Sequence, residues 1–237
     1  MGPSQAWNRS RRCSRIIREG DAVAKKDRAG ERRERAKQPF RVPDLGYYIL
    51  ITDAEATEVN YFTGLRDSLA KEIQQRQVIK IISKGAVDDL IDRCEEVVAK
   101  HPQYAIPWLI IDRDEVKDFD DLIAKAVKRQ MNAGGSNPCI ELWFQCYFEN
   151  PAMGQGSGQC CSRFKDLLYR KARIEYEKAD EKIYSLLCKY GDEQRAITWA
   201  KKRFETSVRN REKATPSSLL CCTTVYRLVE EIVEKAR

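Results

Sequence analysis

Two aspartates that follow an apolar segment are the residues with the clearest chemical potential. Asp112 and Asp114 stand one residue apart at the end of the run AIPWLII, residues 105–111. This short, nearly all-apolar run predicts a strand buried on both faces. Alternation along a strand would direct both carboxylates to the same side. Two anions held this close repel each other unless a divalent cation lies between them, although an acidic surface turn is the alternative interpretation.

Further acids follow an earlier predicted strand, YYILIT at 47–52. Asp53, Glu55 and Glu58 come directly after it. If this strand lies beside the later one, Asp53 meets the two later aspartates at one rim, and three carboxylates there predict a Mg²⁺ or Mn²⁺ site. Such a site binds phosphate oxygens and activates water, so it indicates phosphoryl transfer or phosphodiester hydrolysis. Two alternatives remain open, because Asp53 could cap a helix and Glu58 suits a first helical turn.

Other chemical classes find little support in the sequence. The single histidine, His101, makes a His-based catalytic triad very unfavourable. No Gly-x-x-x-x-Gly-Lys loop and no Gly-x-Gly-x-x-Gly turn for nucleotide phosphates occurs. The nine cysteines include no Cys-x-x-Cys pair, so we predict reduced core thiols and no zinc site.

The elements that position these acids alternate between strands and helices. This alternation predicts an α/β fold with a mostly parallel sheet flanked by helices. The Gly-rich stretch 133–138 breaks the pattern, 139–144 is a fourth strand or a buried helix, and 154–158 is a flexible loop. We divide the chain into an arm (1–44), an α/β core (45–150) and a helical region packing on the core (151–237). The predicted strands are 47–52, 78–82 and 105–112, with helices over 57–73, 87–100, 119–131, 177–189, 192–207 and 223–236.

The net charge of +7 is concentrated in the N-terminal arm. Residues 1–44 carry 13 basic and 6 acidic side chains, so the rest of the chain is neutral overall. Such an arm is typical of segments that follow a nucleic-acid backbone, with a solvated, partly disordered leader as the alternative. No apolar run approaches the roughly 18 residues of a membrane span, and the start lacks a signal-peptide pattern. We therefore expect a cytoplasmic protein without a membrane partner.

Several motifs, in order along the chain, resemble those of RloB-like proteins. Asp112-Arg113-Asp114 resembles the D-x-D of that family, and the segment SNPCIELWF at 136–144 resembles its S-N-P-x-F-E-x-W block. The segment DAEATEVNYF at 53–62 is similar to its E-G-E-K-T-E-P-x-Y-F signature. Further matches, spanning about residues 45–237 with those above, are Tyr176-Glu177-Lys178, the region 196–201 and the segment CTTVYRL at 222–228.

The resemblance implies a TOPRIM-like fold, in which an acid after the first strand joins a D-x-D to hold Mg²⁺. It implies that Asp53, Asp112 and Asp114 are metal ligands and that Glu141 is a fourth acid, either ligand or general base. Arg113 could face phosphate, or form a salt bridge on a helix face. For Glu141 the alternative is a buried acid that bonds to a backbone turn.

The resemblance also implies a nuclease in anti-phage defence, acting on DNA or RNA, including transfer RNA. Among the departures of the chain from this signature, Asp53, Ala54 and Ala56 replace Glu, Gly and Lys. A catalytically weakened nucleic-acid-binding or sensing subunit, working beside an ATPase or restriction partner, is therefore the alternative hypothesis. Assembly into a homo-oligomer is a further expectation.

Overall fold

Parallel strands form the centre of the structure. The computed structural model describes residues 43–83, 87–100, 105–114 and 116–237, so the predicted arm falls almost wholly outside it. The strands are β1 (Gly46–Thr52), β2 (Gln77–Ser83), β3 (Ala105–Asp112), β4 (Asn132–Asn137) and β5 (Cys222–Thr223). The sheet has the order β2-β1-β3-β4-β5, and among these described strands only β5 runs antiparallel, next to β4. This confirms the predicted mostly parallel sheet.

Helices cover both faces of this sheet. Because successive strand residues point to opposite faces, Tyr48 and Leu50 enter one hydrophobic cluster while Ile49 and Ile51 enter another. The helices are α1 (Thr57–Ser68), α2 (Lys71–Arg76), α3 (Val87–Lys100), α4 (Phe119–Lys128), α5 (Glu141–Cys146), α6 (Ser157–Ala172), α7 (Ile183–Tyr190), α8 (Glu193–Arg209) and α9 (Val225–Lys235). α3 and α4 complete the second cluster. The larger first cluster contains residues of α6, α7, α8 and α9, among other helices.

The central strand, β3, lies between β1 and β4. Thr52 of β1 stands opposite Ile110 of β3, and Asp112 of β3 stands opposite Ser136 of β4. The carboxyl ends of these strands therefore meet at one edge of the sheet. The first and third predicted strands, β1 and β3, are therefore adjacent, as the predicted grouping of Asp53 with Asp112 and Asp114 requires.

The fourth strand is where the sequence prediction was wrong. The stretch around Gly134 and Gly135, predicted to be a break, is the buried strand β4, and the following segment takes the predicted helical alternative as α5. The glycines fit because β3 approaches closely. A Cβ on Gly134 would lie 2.8 Å from Ile110 Cδ1, and one on Gly135 would lie 3.0 Å from the Ile111 carbonyl oxygen.

Several helix boundaries also differ from the prediction; the helix predicted over 177–189, for example, begins at Ile183. The single helix expected over 57–73 is divided into α1 and α2, because Leu69 and Ala70 adopt extended backbone conformations. α6 begins at Ser157, inside the stretch predicted to be a flexible loop. Within the described ranges, no helix combines the length and the apolarity needed to cross a bilayer.

Candidate active site

Asp112 lies at the centre of the candidate site. It is the last residue of β3 and is only 8% exposed. Its Oδ2 accepts a 2.7 Å hydrogen bond from the backbone N–H of Ile140, which precedes α5. The hydrophobic run of β3 thus carries a carboxylate into the interior, and the start of α5 fixes its orientation.

Three other acids surround Asp112. Burial raises the pKa of its carboxyl well above the usual value, and the charges of Glu58, Glu141 and Asp114 raise this pKa further. The Ile140 N–H bond opposes these effects by stabilising the charged form. The carboxylates at this edge of the sheet therefore repel one another.

Two of these acids are held by the first turns of helices. Glu58 belongs to the first turn of α1, directly after β1, and is 5% exposed. Glu141 is the first residue of α5 and is 2% exposed. Both positions suit the positive end of the helix dipole. Both side chains are nevertheless buried, and their charges act on Asp112.

Tyr176 fixes the position of Glu141. Its hydroxyl donates a 3.0 Å hydrogen bond to Glu141 Oε1. Burial raises the pKa of this tyrosine, and the charges of Glu141 and, to a smaller extent, Glu58 raise it further. Tyr176 was noted in the sequence only as part of a motif resemblance, and its contact with Glu141 required the structure.

The other predicted site residues lie around this centre. Asp53 follows β1 at the same edge and is half-buried, whereas Glu55 is exposed. Asp114 is exposed and lies in a turn, because β3 ends at Asp112. Strand alternation therefore does not explain its position, although its charge acts on Asp112.

Arg113 occupies the same turn, between the two aspartates. It does not lie on a helix face, where the alternative prediction placed it in a salt bridge. Its Nη1 donates to the Val116 carbonyl oxygen at 3.3 Å. Its backbone N–H donates to the Ser136 carbonyl oxygen at 2.9 Å, which ties the turn to β4.

Thiols approach Glu141 from the side of α6. A carboxylate oxygen of Glu141 and the sulfurs of Cys139 and Cys161 all lie within 4.8 Å of one another. The eight cysteines in the described residues are all free, which agrees with the prediction of reduced thiols, but Cys188 is exposed and is not the core residue that was predicted. Spacing rules for cysteine motifs could not find this group, because its members come from the segment before α5, from α5 and from α6.

The site offers mainly carboxylate oxygens, which are the ligands that Mg²⁺ and Mn²⁺ prefer. Asp112 and Asp114 could hold such an ion, with Asp53 beside them at the edge of the sheet. A cation there would offset the repulsion that raises the pKa of Asp112. On this physical criterion the residues present fit a divalent cation.

Most of the chain matches a model of a known protein family. The sequence model of the family described as RloB-like protein matches residues 48–232. This range holds Asp53, Glu58, Asp112, Asp114 and Glu141 and excludes the basic arm. Searches of curated proteins and of solved structures found no match for the chain.

Proposed function

Because the chain belongs to the RloB-like family, we propose that it is a nuclease that hydrolyses phosphodiester bonds with the help of Mg²⁺ or Mn²⁺. The observation that carries this proposal is the convergence of Glu58, Glu141 and Asp114 on the buried carboxylate of Asp112. Acids that repel one another destabilise the folded chain, and a bound catalytic cation would offset that repulsion. The TOPRIM-like arrangement implied by the motifs agrees with acids after β1 and after β3.

The cation would be held by Asp112 and Asp114, with Asp53 as a further ligand. When bound, it would lower the pKa of a water molecule and stabilise charge on the leaving oxygen. Glu141 is the residue we assign to accept the proton of the attacking water. Its Oε1 is fixed by Tyr176, and a carboxylate fixed in this way is a suitable general base.

Arg113 is the nearest cationic residue in sequence to both aspartates. One of its five N–H donors bonds to the Val116 carbonyl oxygen, and a phosphate could engage the others. Glu58 is buried beside Asp112, so we assign it to the electrostatics of the site; Glu55 is exposed and could contact substrate at the rim.

We propose that the substrate is DNA or RNA, with transfer RNA included, and that the setting is anti-phage defence in the cytoplasm. The basic arm, which lies outside the described residues, would contact the nucleic-acid backbone. An ATPase or restriction protein as partner, and assembly with further copies of the chain, belong to the same proposal.

The second candidate is a nucleic-acid-binding or sensing subunit with weakened catalysis. The replacements at Asp53, Ala54 and Ala56 relative to the family signature favour it. Aspartate is one methylene shorter than glutamate, and the alanine at 56 removes a cation that could face phosphate.

Cleavage of labelled DNA and total RNA, with Mg²⁺ or Mn²⁺, tests the proposal. We expect wild type to cleave one of these substrates and Asp112→Ala to lose at least about 100-fold in rate. Asp166→Asn, at an exposed position on α6, is the matched control and should keep full activity. Wild type that binds but never cleaves would support the second candidate, and cleavage unchanged by Asp112→Ala would disprove the proposed site.

A further inference from the structure

The thiols next to Glu141 form a cluster that the proposed nuclease does not use. Cys139, Cys160 and Cys221 are buried together with Leu142, and Cys161 packs against them. Four thiols from three distant segments of the chain therefore meet at one place. Glu141 lies at the edge of this group, so its carboxylate is close to the sulfurs while its charge also acts on Asp112.

The distances suit a metal ion. The two sulfurs of Cys139 and Cys161 and a Glu141 oxygen lie within 4.8 Å of one another. Around a tetrahedral Zn²⁺, with Zn–S about 2.3 Å and Zn–O about 2.0–2.2 Å, ligand atoms are separated by roughly 3–4 Å. Small side-chain rotations would bring the three ligand atoms from their present separations, which are within 4.8 Å, to the separations found around Zn²⁺.

We propose that Cys139, Cys161 and Glu141 bind a thiophilic divalent cation of the Zn²⁺ class. Two sulfur ligands exclude Mg²⁺, which requires oxygen ligands, so this site differs in chemistry from the one at Asp112. The two sites share Glu141, which would offer one carboxylate oxygen to the ion and keep the other for the proton of the attacking water. Two thiolates and one carboxylate carry three negative charges, which the cation would largely balance. Three protein ligands leave a fourth position for water.

The surroundings indicate how the ion enters and why the site has three protein ligands. Cys161 is half-buried while Cys139 and Glu141 are buried, so the ion would reach the site from the side of Cys161. Cys160 is the nearest candidate for a fourth ligand, but its sulfur accepts a 3.1 Å hydrogen bond from Gln145 Nε2. This bond holds Cys160 in the core.

Absorption of thiolate-bound Co²⁺ tests the site without any reference to cleavage. The full chain, kept reduced by a phosphine so that no disulfide forms, is titrated with Co²⁺ and then with Zn²⁺. We expect one Co²⁺ per chain with sulfur-to-cobalt absorption, displaced by Zn²⁺ and unaffected by excess Mg²⁺. Wild type that shows no such absorption would overturn the proposal.

Variants assign the ligands. Cys139→Ser and Cys161→Ser should each weaken binding by more than about 100-fold, since even an outer-shell contact is worth about 10–100-fold. Cys188→Ser, at an exposed thiol on α7, is the control and should bind as wild type. Circular dichroism checks that each variant folds, and Glu141→Gln supplies a third ligand change that leaves both sulfurs in place. Unchanged affinity in any of these folded ligand variants would overturn the three-ligand assignment.

Asp112→Asn separates this proposal from the nuclease. We expect it to keep the sulfur-to-cobalt absorption, because Asp112 supplies no ligand to the thiol site. A nuclease that fails to cleave could thus still hold Zn²⁺, and a protein that cleaves could lack this second ion.

Discussion

Buried Asp112 and half-buried Glu193 are two carboxylates in opposite surroundings. Glu193, at the start of α8, accepts hydrogen bonds from the hydroxyls of Tyr147 and Tyr184, each at 3.1 Å. The Tyr147 hydroxyl also bonds to that of Tyr61, at 2.9 Å. Burial raises the pKa of Glu193, and the two tyrosines that donate to it oppose that effect. The surroundings of this acid stabilise its charge.

Among the residues that the structure describes, Asp112 has one hydrogen-bond donor, the Ile140 N–H, and three acids whose charges act on it. Burial raises the pKa of both acids, but the groups next to Asp112 mostly destabilise its charge. The comparison teaches that burial alone does not mark a functional carboxylate. A network such as that of Glu193 is complete within the protein, whereas the group at Asp112 becomes favourable when a cation joins it.

The largest contrast should appear when each region loses one carboxylate. We expect Glu141→Gln to lower the cleavage rate by about 10²–10⁴-fold, because glutamine cannot accept a proton from water. The matched change Glu193→Gln should leave the rate within about twofold, since that acid lies in a separate hydrogen-bond network. Rates under saturating Mg²⁺ measure both, and an equal loss in the two variants would contradict the distinction.

Added Mg²⁺ should stabilise only the acidic region. An ion that binds the folded chain alone adds about 2.7 kcal/mol to the free energy of unfolding at 100 times its dissociation constant. Thermal unfolding with and without Mg²⁺ measures this gain, which we expect to vanish in Asp112→Asn and to persist in Glu193→Gln. A gain retained in Asp112→Asn would place the ion elsewhere.

The tyrosine network should respond to a change that leaves the acidic region untouched. Tyr147→Phe removes the hydroxyl shared by Tyr61 and Glu193, so we expect the free energy of unfolding to fall by about 1–2 kcal/mol. Urea unfolding measures this loss, and cleavage should be unchanged. Tyr176→Phe is the matched control, because it also removes one tyrosine hydroxyl but frees Glu141; it should slow cleavage.

The sequence predicted which strands end at this edge of the sheet, but not which contacts the side chains make there. Apolar runs ending in Asp53 and Asp112 indicated parallel strands, and adjacency of β1 and β3 followed the usual α/β pattern. The strand β4 could not be predicted, because its glycines are favourable only against the side chains and backbone of β3. Propensity favours a break at such a stretch, and tertiary packing overrides it.

The sequence did not show which of the other acids act on Asp112. Glu58 was explained as a helix-capping acid, since its inward position depends on the angle at which α1 leaves β1. The group of Cys139, Glu141 and Cys161 joins segments 20 residues apart in sequence and follows no spacing rule. Such contacts depend on how helices pack, which residue patterns along one segment do not specify.

The smallest expected effect is a pH dependence that belongs to Asp112. Its pKa is raised in the folded protein, while in the unfolded chain it stays near 3.8. Below pH 3.8 the Asp112 carboxyl is protonated in both the folded and the unfolded chain, so it does not lower the free energy of unfolding. As the pH rises above it, the unfolded chain releases the proton first, so the free energy of unfolding falls until the folded carboxyl also ionises.

Asp112→Asn removes this pH dependence while its side-chain oxygen can still accept the Ile140 N–H. In chelator at neutral pH, we therefore expect the variant to be more stable than wild type by about 1–2 kcal/mol. The difference should close as the pH falls toward 4, and Mg²⁺ should reduce it at neutral pH because only wild type gains from the ion. Urea unfolding at several pH values measures this, with Asp166→Asn as the control. A variant less stable than wild type at neutral pH would show that Asp112, like Glu193, is satisfied within the protein.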